Sequence, residues 1–249
     1  MEVNSIRVSI ITVTYNSEAT FAKTIQSVLN QTVAPLEYIV IDGASTDKTL
    51  DVIHGYESDF INKGIELRIV SEKDEGIYDA MNKGIRLAKG DIVGIINSDD
   101  WYEDIAVETV VNAYAEEEFD LFYADLRMVR PQGDSFIKHS KDRAYATSRD
   151  WNHPTTFITR RMYEQFLYRT DTIHDDYDLI LRLKKAGART KVVNKVLANF
   201  RMNGVSHEKS LAKTINRIKI KYNIYRRNGY SPLYLFECLL VEMGKLIIG

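Results

Sequence analysis

Four short apolar runs rich in β-branched residues recur through the first hundred positions and constrain the fold more than any other feature. Val8–Thr14 (VSIITVT) reads as a strand buried on both faces, and 38–42 (YIVID), 66–72 (ELRIVSE) and 91–97 (DIVGIIN) read the same way. Helical faces separate them: Phe21, Ile25, Val28 and Leu29 share one, and Ile77, Met81, Ile85 and Ala88 share another. Strands that alternate with helices imply an α/β fold. The expected form is a Rossmann-like, mostly parallel central sheet flanked by helices, with ligands at the carboxyl ends of the strands. Polar clusters sit at those ends, since TYNS, DGASTD, SEKDEG and NSDD follow the four runs in order.

The last cluster poses the chemical question. INSDDWY (96–102) sets Asp99 beside Asp100 where a buried strand finishes. Adjacent carboxylates repel unless water, a cation or a donor neutralises them. Hard cations such as Mg²⁺ and Mn²⁺ take oxygen ligands, typically one or two carboxylates together with substrate phosphates. On that reading Asp99 and Asp100 face a diphosphate through a metal, while Asp42 accepts hydrogen bonds from a base or ribose. The competing reading makes DGASTD a turn, with Ser45, Thr46 and Asp47 as helix caps and Gly43 tolerating positive φ.

Other chemistries lack their motifs. Neither GxGxxG nor GxxxxGK[ST] follows the first run, the five histidines form no HExxH, and GxSxG is absent. The single cysteine, Cys238, excludes a thiolate zinc site and an internal disulfide, and fits a reducing compartment. A net charge of −2 gives no overall attraction to nucleic acid. The N-terminus reads as a strand rather than a leader, so the expected location is cytoplasmic and the sequon at Asn30 incidental.

Past residue 100 the rhythm changes. LFYADLRMV, RPQGDS and FIKHS read as strand, turn and strand, WNHPTTFIT as a further short strand, and a helix starts at Arg160. DDYDLILRLKKAG reads as a helix with acids in its first turn, and ARTKVVNKVLANFRM as a strand. With no internal repeat, residues 1–205 form one expected domain and 206–249 a helical tail. In the tail Leu211, Ile215, Ile218, Tyr222 and Tyr225 space out an apolar seam in a basic segment that only Glu208 opposes. A second helix follows, too short to span a bilayer. The tail reads either as a peripheral contact with the anionic inner face of the plasma membrane, or as a hairpin packed on the domain or on a second copy in a homodimer.

In order along the chain, SIITVTYNSEATFAKTIQSVLNQT, EYIVIDGASTDKT, SEKDEGIYDAMNKGIRLAKGD, INSDD, NHPTTFITRRMYE, DDYDLILRL and FRMNGVS resemble the family 2 inverting glycosyltransferases of GT-A type fold, in their bacterial polysaccharide branch. The resemblance covers about residues 6 to 205. It implies a nucleotide diphosphate sugar donor, uridine-based, Mn²⁺ or Mg²⁺ as cofactor, a glycan or lipid-linked acceptor, and no nucleic acid. It implies that Thr14, Tyr15 and Asn16 lie beside the nucleotide, that Asp42 reads the base, and that Asp74, Gly76, Asn82 and Lys83 line the nucleotide sugar and its phosphates. Asn97, Ser98 and Asp99 stand in place of the family's DxD motif, whose last acid is the metal ligand. Because Asn97 replaces the first acid, more weight falls on Asp99 and Asp100. Asp176 in HDDYD matches the general base, with His153 and Asp175 on the acceptor side.

Several residues carry two readings. Asp175 and Asp178 also suit helix capping, Arg160 and Arg161 suit phosphate contact or solvated charge, and Trp101 and Trp151 suit wall or core. The NGVSH loop is expected to close over the nucleotide, with His207 a candidate ligand. Two rival functions stand beside the transferase. A nucleotidyltransferase requires a glycine-rich basic loop that TYNSEAT is not, and a silent nucleotide-sugar binding or scaffolding module has no need of Asp176.

Overall fold

The computed structural model describes residues 6–202 and 211–248. The first half is built as β1 (Val8–Thr14), α1 (Phe21–Leu29), β2 (Glu37–Asp42), α2 (Thr49–His54), α3 (Glu57–Lys63), β3 (Glu66–Ser71), α4 (Ile77–Leu87) and β4 (Ile92–Ile95). These strands pair in parallel in the order β3-β2-β1-β4. Side chains alternate across β1 with the two-residue period of a strand. Ile11 and Val13 pack on one face with Met81 and Ile85 of α4, while Val8 and Ile10 pack on the other with Phe21, Ile25 and Val28 of α1.

The second half comprises β5 (Trp101–Tyr102), α5 (Ala106–Glu116), β6 (Leu121–Val129), β7 (Ser135–Lys138), β8 (Phe157–Thr159), α6 (Arg160–Tyr163), α7 (Asp175–Lys185) and β9 (Thr190–Arg201). β8 runs antiparallel to β4 and carries the sheet on to β6, which pairs with β9 in parallel and with β7 as a hairpin. Among the described residues this makes one nine-stranded mixed sheet.

Three local expectations change. The 66–72 run, expected to be buried on both faces, is the sheet's edge and is half-exposed along β3, because no strand covers its outer side. Ile77, placed on the packed face of α4, is 48% exposed, since it is the first residue of the helix and precedes the turn where Met81 and Ile85 reach the sheet. Only 157–159 of WNHPTTFIT is strand. His153–Thr155 forms a short 3₁₀ turn, where Pro154 fixes φ and has no N–H to give a ladder.

The tail forms α8 (Leu211–Arg227) and α9 (Tyr234–Ile248), packed on the domain. Ile218, Ile224, Tyr225 and Cys238 join the same buried cluster as Ile11 and Leu181. The seam is rotated from its expected line: Leu211 and Ile215 are exposed, and Thr214, Lys221 and Tyr225 face inward. The cause is Glu242 of α9, fully buried, which accepts hydrogen bonds from Lys221 Nζ at 2.6 Å and Arg217 Nε at 2.9 Å. Two of the tail's basic residues therefore cross-link the hairpin. Leu233, just before α9, and Phe236 and Leu240 on it are exposed, and no helix among the described residues is long and apolar enough to cross a membrane.

Gly94 in the middle of β4 tests the packing between β4 and β8. A Cβ there meets Phe157 Cδ1 at 2.7 Å. Gly94→Ala is expected to cost ~1–3 kcal/mol by overpacking, read as a lower denaturation midpoint with unchanged slope.

Candidate active site

The carboxyl ends of β1 and β2 are tied together before any ligand is considered. Gly43 N–H donates to the Thr14 carbonyl at 2.9 Å, Asn16 N–H to Ser45 Oγ at 2.8 Å, and Thr46 N–H to Asn16 Oδ1 at 2.8 Å. Asn16 (φ 48) and Ala44 (φ 60) both take left-handed backbone conformations, which asparagine tolerates and alanine resists. This bracing holds Tyr15 outward, 62% exposed. Thr14 lies beneath it, buried, with its Oγ1 unpartnered among the described residues.

Asp42 differs from its expected part. It is fully buried, and its oxygens accept from Ser45 N–H at 3.0 Å, from Ser45 Oγ, and from Ser71 Oγ at 2.6 Å. In this conformation its carboxylate shapes the loop instead of facing an open pocket. Asp74 approaches the loop from the next strand, since a Cβ on Gly43 would meet Asp74 Oδ2 at 2.9 Å and Tyr15 Cδ2 at 3.5 Å. Lys83, expected at the phosphates, is caged by Asp74 at 2.7 Å, Glu72 at 2.9 Å and Asp79 at 3.3 Å. Hydrogen bonds to Asp74 and then Glu72 push its ammonium above the ordinary lysine value. Asn82 is buried and spoken for: it donates to the Tyr168 carbonyl and accepts from Tyr168 N–H, both at 2.9 Å. It positions that loop, and of Asp74, Gly76, Asn82 and Lys83 only Gly76, with φ 121 at the head of α4, is exposed.

At the end of β4 the acid pair divides. Asp100 is fully buried and turned inward, one oxygen accepting from Arg201 N–H at 3.0 Å and Oδ2 unpartnered among the described residues. Asp99 is half-buried, and Arg201 Nε donates to its carbonyl at 3.3 Å. Burial raises both carboxyls, and for Asp100 the Asp99 charge adds to the rise. Asn97 Oδ1 is also buried without a partner among the described residues, and Ser98 Oγ lies 2.8 Å from Ser17 Oγ. An all-oxygen set with orphaned acceptors suits a hard cation. Asp99 is the more open carboxylate of the pair. Asp100, expected as an equal ligand, is tied to β9 and lies behind it. Among the described residues no three His, Cys, Asp or Glu side chains gather closely enough to hold an ion alone, so phosphate oxygens would have to complete the set.

Asp176 lies on the same rim. Tyr78, in the first turn of α4, donates to the Ile173 carbonyl at 3.0 Å, which brings the head of α7 to the carboxyl end of β3. Asp176 is half-buried and accepts from Tyr177 N–H at 2.7 Å. Burial and then the Asp176 charge push the Tyr78 hydroxyl up, while burial lowers His153 against the opposing pull of Asp176. His153 Nε2 is 3.4 Å from Tyr168 Oη, and the Tyr78 and Tyr168 rings stack at 5.4 Å. Asp175, placed on the acceptor side, is fully buried and accepts from Thr172 N–H at 2.7 Å and Asp171 N–H at 2.6 Å. It caps no N–H of α7 itself; as the helix's first residue it ties down the loop that precedes it.

Trp151 is buried as core, and Trp101 is half-buried under Lys23 Nζ, 3.2 Å from its ring centroid. Arg161 pairs with the buried Asp120, and Arg160 lies 4.0 Å from the exposed Glu164, so both are engaged by acids. The NGVSH loop and His207 lie outside the described residues. Tyr78, Tyr168 and Arg201 join the site without having been singled out in the sequence. Tyr78 carried a signal, since it follows Gly76 at the start of a helix whose next turn holds Asn82 and Lys83. Tyr168 and Arg201 arrive by tertiary packing alone.

The Glycosyl transferase family 2 model matches residues 9–177, and the chain belongs to that family. Chondroitin synthase of Escherichia coli is 28% identical over 259 residues, spanning 96% of this chain but only 36% of that protein's length. Among solved structures, S. aureus TarS in complex with UDP-GlcNAc superposes with a TM-score of 0.70 at 16% identity, covering 96% of this chain and 72% of TarS. The mannosyltransferase PcManGT from Pyrobaculum calidifontis, in complex with GDP-Man and Mn²⁺, gives 0.67 at 19% identity, covering 99% and 71%. The fold is of the GT-A type.

The lowered His153 has a consequence for stability. Its imidazole is more easily protonated in the unfolded chain, so the fold loses stability as pH falls below the unfolded value of about 6.5. His153→Gln is expected to lose less stability than the wild type between about pH 6.5 and 5, measured as denaturation midpoints across that range.

Proposed function

We propose that the chain is a metal-dependent inverting glycosyltransferase. It moves a sugar from a nucleotide diphosphate donor, UDP-linked, to a glycan or lipid-linked saccharide in cell-surface polysaccharide synthesis. One observation carries this: the desolvated Asp99–Asp100 pair follows parallel strand β4, and Tyr78, at the carboxyl end of β3, holds the half-buried Asp176 at the head of α7. Family membership supports it, as do the UDP-GlcNAc of TarS, the GDP-Man and Mn²⁺ of PcManGT, and the polysaccharide named in the E. coli relative.

Tyr15 and the braced β1 and β2 loops form the wall for the nucleotide, with Thr14 Oγ1 beneath. Asp99, backed by Asn97, would hold Mn²⁺ or Mg²⁺, whose charge there offsets that of the departing diphosphate. Asp176 takes the proton of the acceptor hydroxyl as its oxygen bonds to the anomeric carbon. The bond from that carbon to the diphosphate oxygen breaks on the opposite face, and configuration inverts in a single displacement. No enzyme nucleophile takes part. His153, held neutral by burial, packs the acceptor side of Asp176.

The test is UDP release from a panel of UDP-sugars with Mn²⁺ present. Asp176→Asn is expected to lower turnover about 10²–10⁴-fold, the usual worth of a positioned general base, with donor affinity retained. Unchanged turnover would remove Asp176 from the chemistry. Donor binding without turnover in the wild type would favour a silent binding module.

A further inference from the structure

α7 opens on three acids within four residues, Asp175, Asp176 and Asp178. Acids at a helix N-terminus are favoured by its dipole, and in solvent that account would suffice. Here the Asp175 and Asp178 side chains are wholly shielded from water, which capping does not require. What shields them comes from the tail. Arg227, at the end of α8, donates from Nη2 to Asp175 Oδ1 at 2.6 Å, from Nε to Asp178 Oδ1 at 2.8 Å and from Nη1 to Asp171 Oδ2 at 3.1 Å. Asn228 adds Nδ2 to Asp178 Oδ1 at 2.6 Å.

The two bolted carboxylates flank the one left for chemistry. Asp178 has further cations in Arg182, at 2.8 Å, and Arg169, at 3.3 Å. Asp175 has Arg227 as its one cation among the described residues. Burial alone would raise the Asp175 carboxyl. The Thr172 N–H and the Arg227 guanidinium instead hold it below the ordinary carboxylate value. Asp176, between them, faces Tyr78 and His153.

We infer that Arg227 is a positioning residue for Asp176: by gripping Asp171, Asp175 and Asp178 at once, the tail fixes the head of α7 and so aims the base at the acceptor. The inference rests on Asp176 being the base. It makes α8 part of the catalytic apparatus, although α8 follows the family-matched residues 9–177. A planar guanidinium with several donors satisfies three carboxylates together, and a lysine ammonium, a single point on a flexible stem, does not.

The experiment compares Arg227→Met, Arg227→Lys and Asp176→Asn in the full chain. It reads UDP release from the UDP-sugar that wild type turns over fastest, and hydrogen exchange of the 171–178 segment. Arg227→Met is expected to lower kcat at least tenfold with donor KM within twofold, and to speed exchange in 171–178 while β1 and β4 stay protected. Arg227→Lys recovers part of kcat. In an Asp176→Asn background Arg227→Met changes turnover no further, because the base it aims is already gone. If Arg227→Met does not fold, Arg227→Lys decides, and its kcat must still fall. Wild-type kcat in Arg227→Lys together with wild-type exchange in 171–178 would overturn the inference, as would a loss confined to donor KM. A fully active Asp176→Asn would instead overturn the parent reading of the base, so the two failures are told apart.

Discussion

Two carboxylates on adjacent residues cannot both stay ionised beside a buried strand without compensation, and the turn after β4 carries such a pair. The structure resolves the conflict by direction. Asp100 turns inward onto the backbone of β9, so the acid that repels its neighbour also ties the second half of the sheet to the first. Asp99 is left half-exposed, with Arg201 beside it and orphaned oxygens of Asn97 and Asp100 close in sequence. A site arranged in this way is incomplete by itself. It gains most from a ligand that brings positive charge and further oxygens, which a divalent cation on a diphosphate does.

The rest of the rim serves that requirement with rigid parts. The loops after β1 and β2 hold each other through Asn16, Ser45 and Thr46, and Asp42 is consumed in shaping one of them. Lys83 and Asn82 act similarly on the other side, one within a ring of acids and one on the backbone of Tyr168. Charged and amide groups that a motif places near a ligand are here mostly spent on one another. The groups left open are few: the ring of Tyr15, Asp99 and Asp176. Opposite them the hairpin α8–α9, stitched by Glu242, supplies the guanidinium that grips α7.

The succession of strands and helices, the parallel core and the rim of polar clusters were legible because strand burial and helix faces write themselves as period and run length. VSIITVT is β1 to the residue. The position of Asp176 in a helix's first turn was legible for the same reason. What each acid does was not, because the direction of a side chain depends on partners far away in sequence. Asp42 met Ser71, Asp100 met β9 and Asp175 met Arg227, and none of those partners has a local signature. Of the readings of the tail, the hairpin packed on the domain is the one the fold contains; what had no signal in the α8 segment was its partner, Glu242, which buries Lys221 and Arg217 in a cross-link.

Asp99 and its neighbours, on the function proposed, are completed by a cation carried with a diphosphate. Calorimetric titration of UDP into wild type and Asp99→Asn, with and without Mn²⁺, tests it most directly. The account predicts that Mn²⁺ tightens UDP binding to the wild type at least tenfold and leaves the Asp99→Asn affinity within twofold of its metal-free value. UDP affinity indifferent to Mn²⁺ in the wild type, or the same Mn²⁺ enhancement in both proteins, would contradict it.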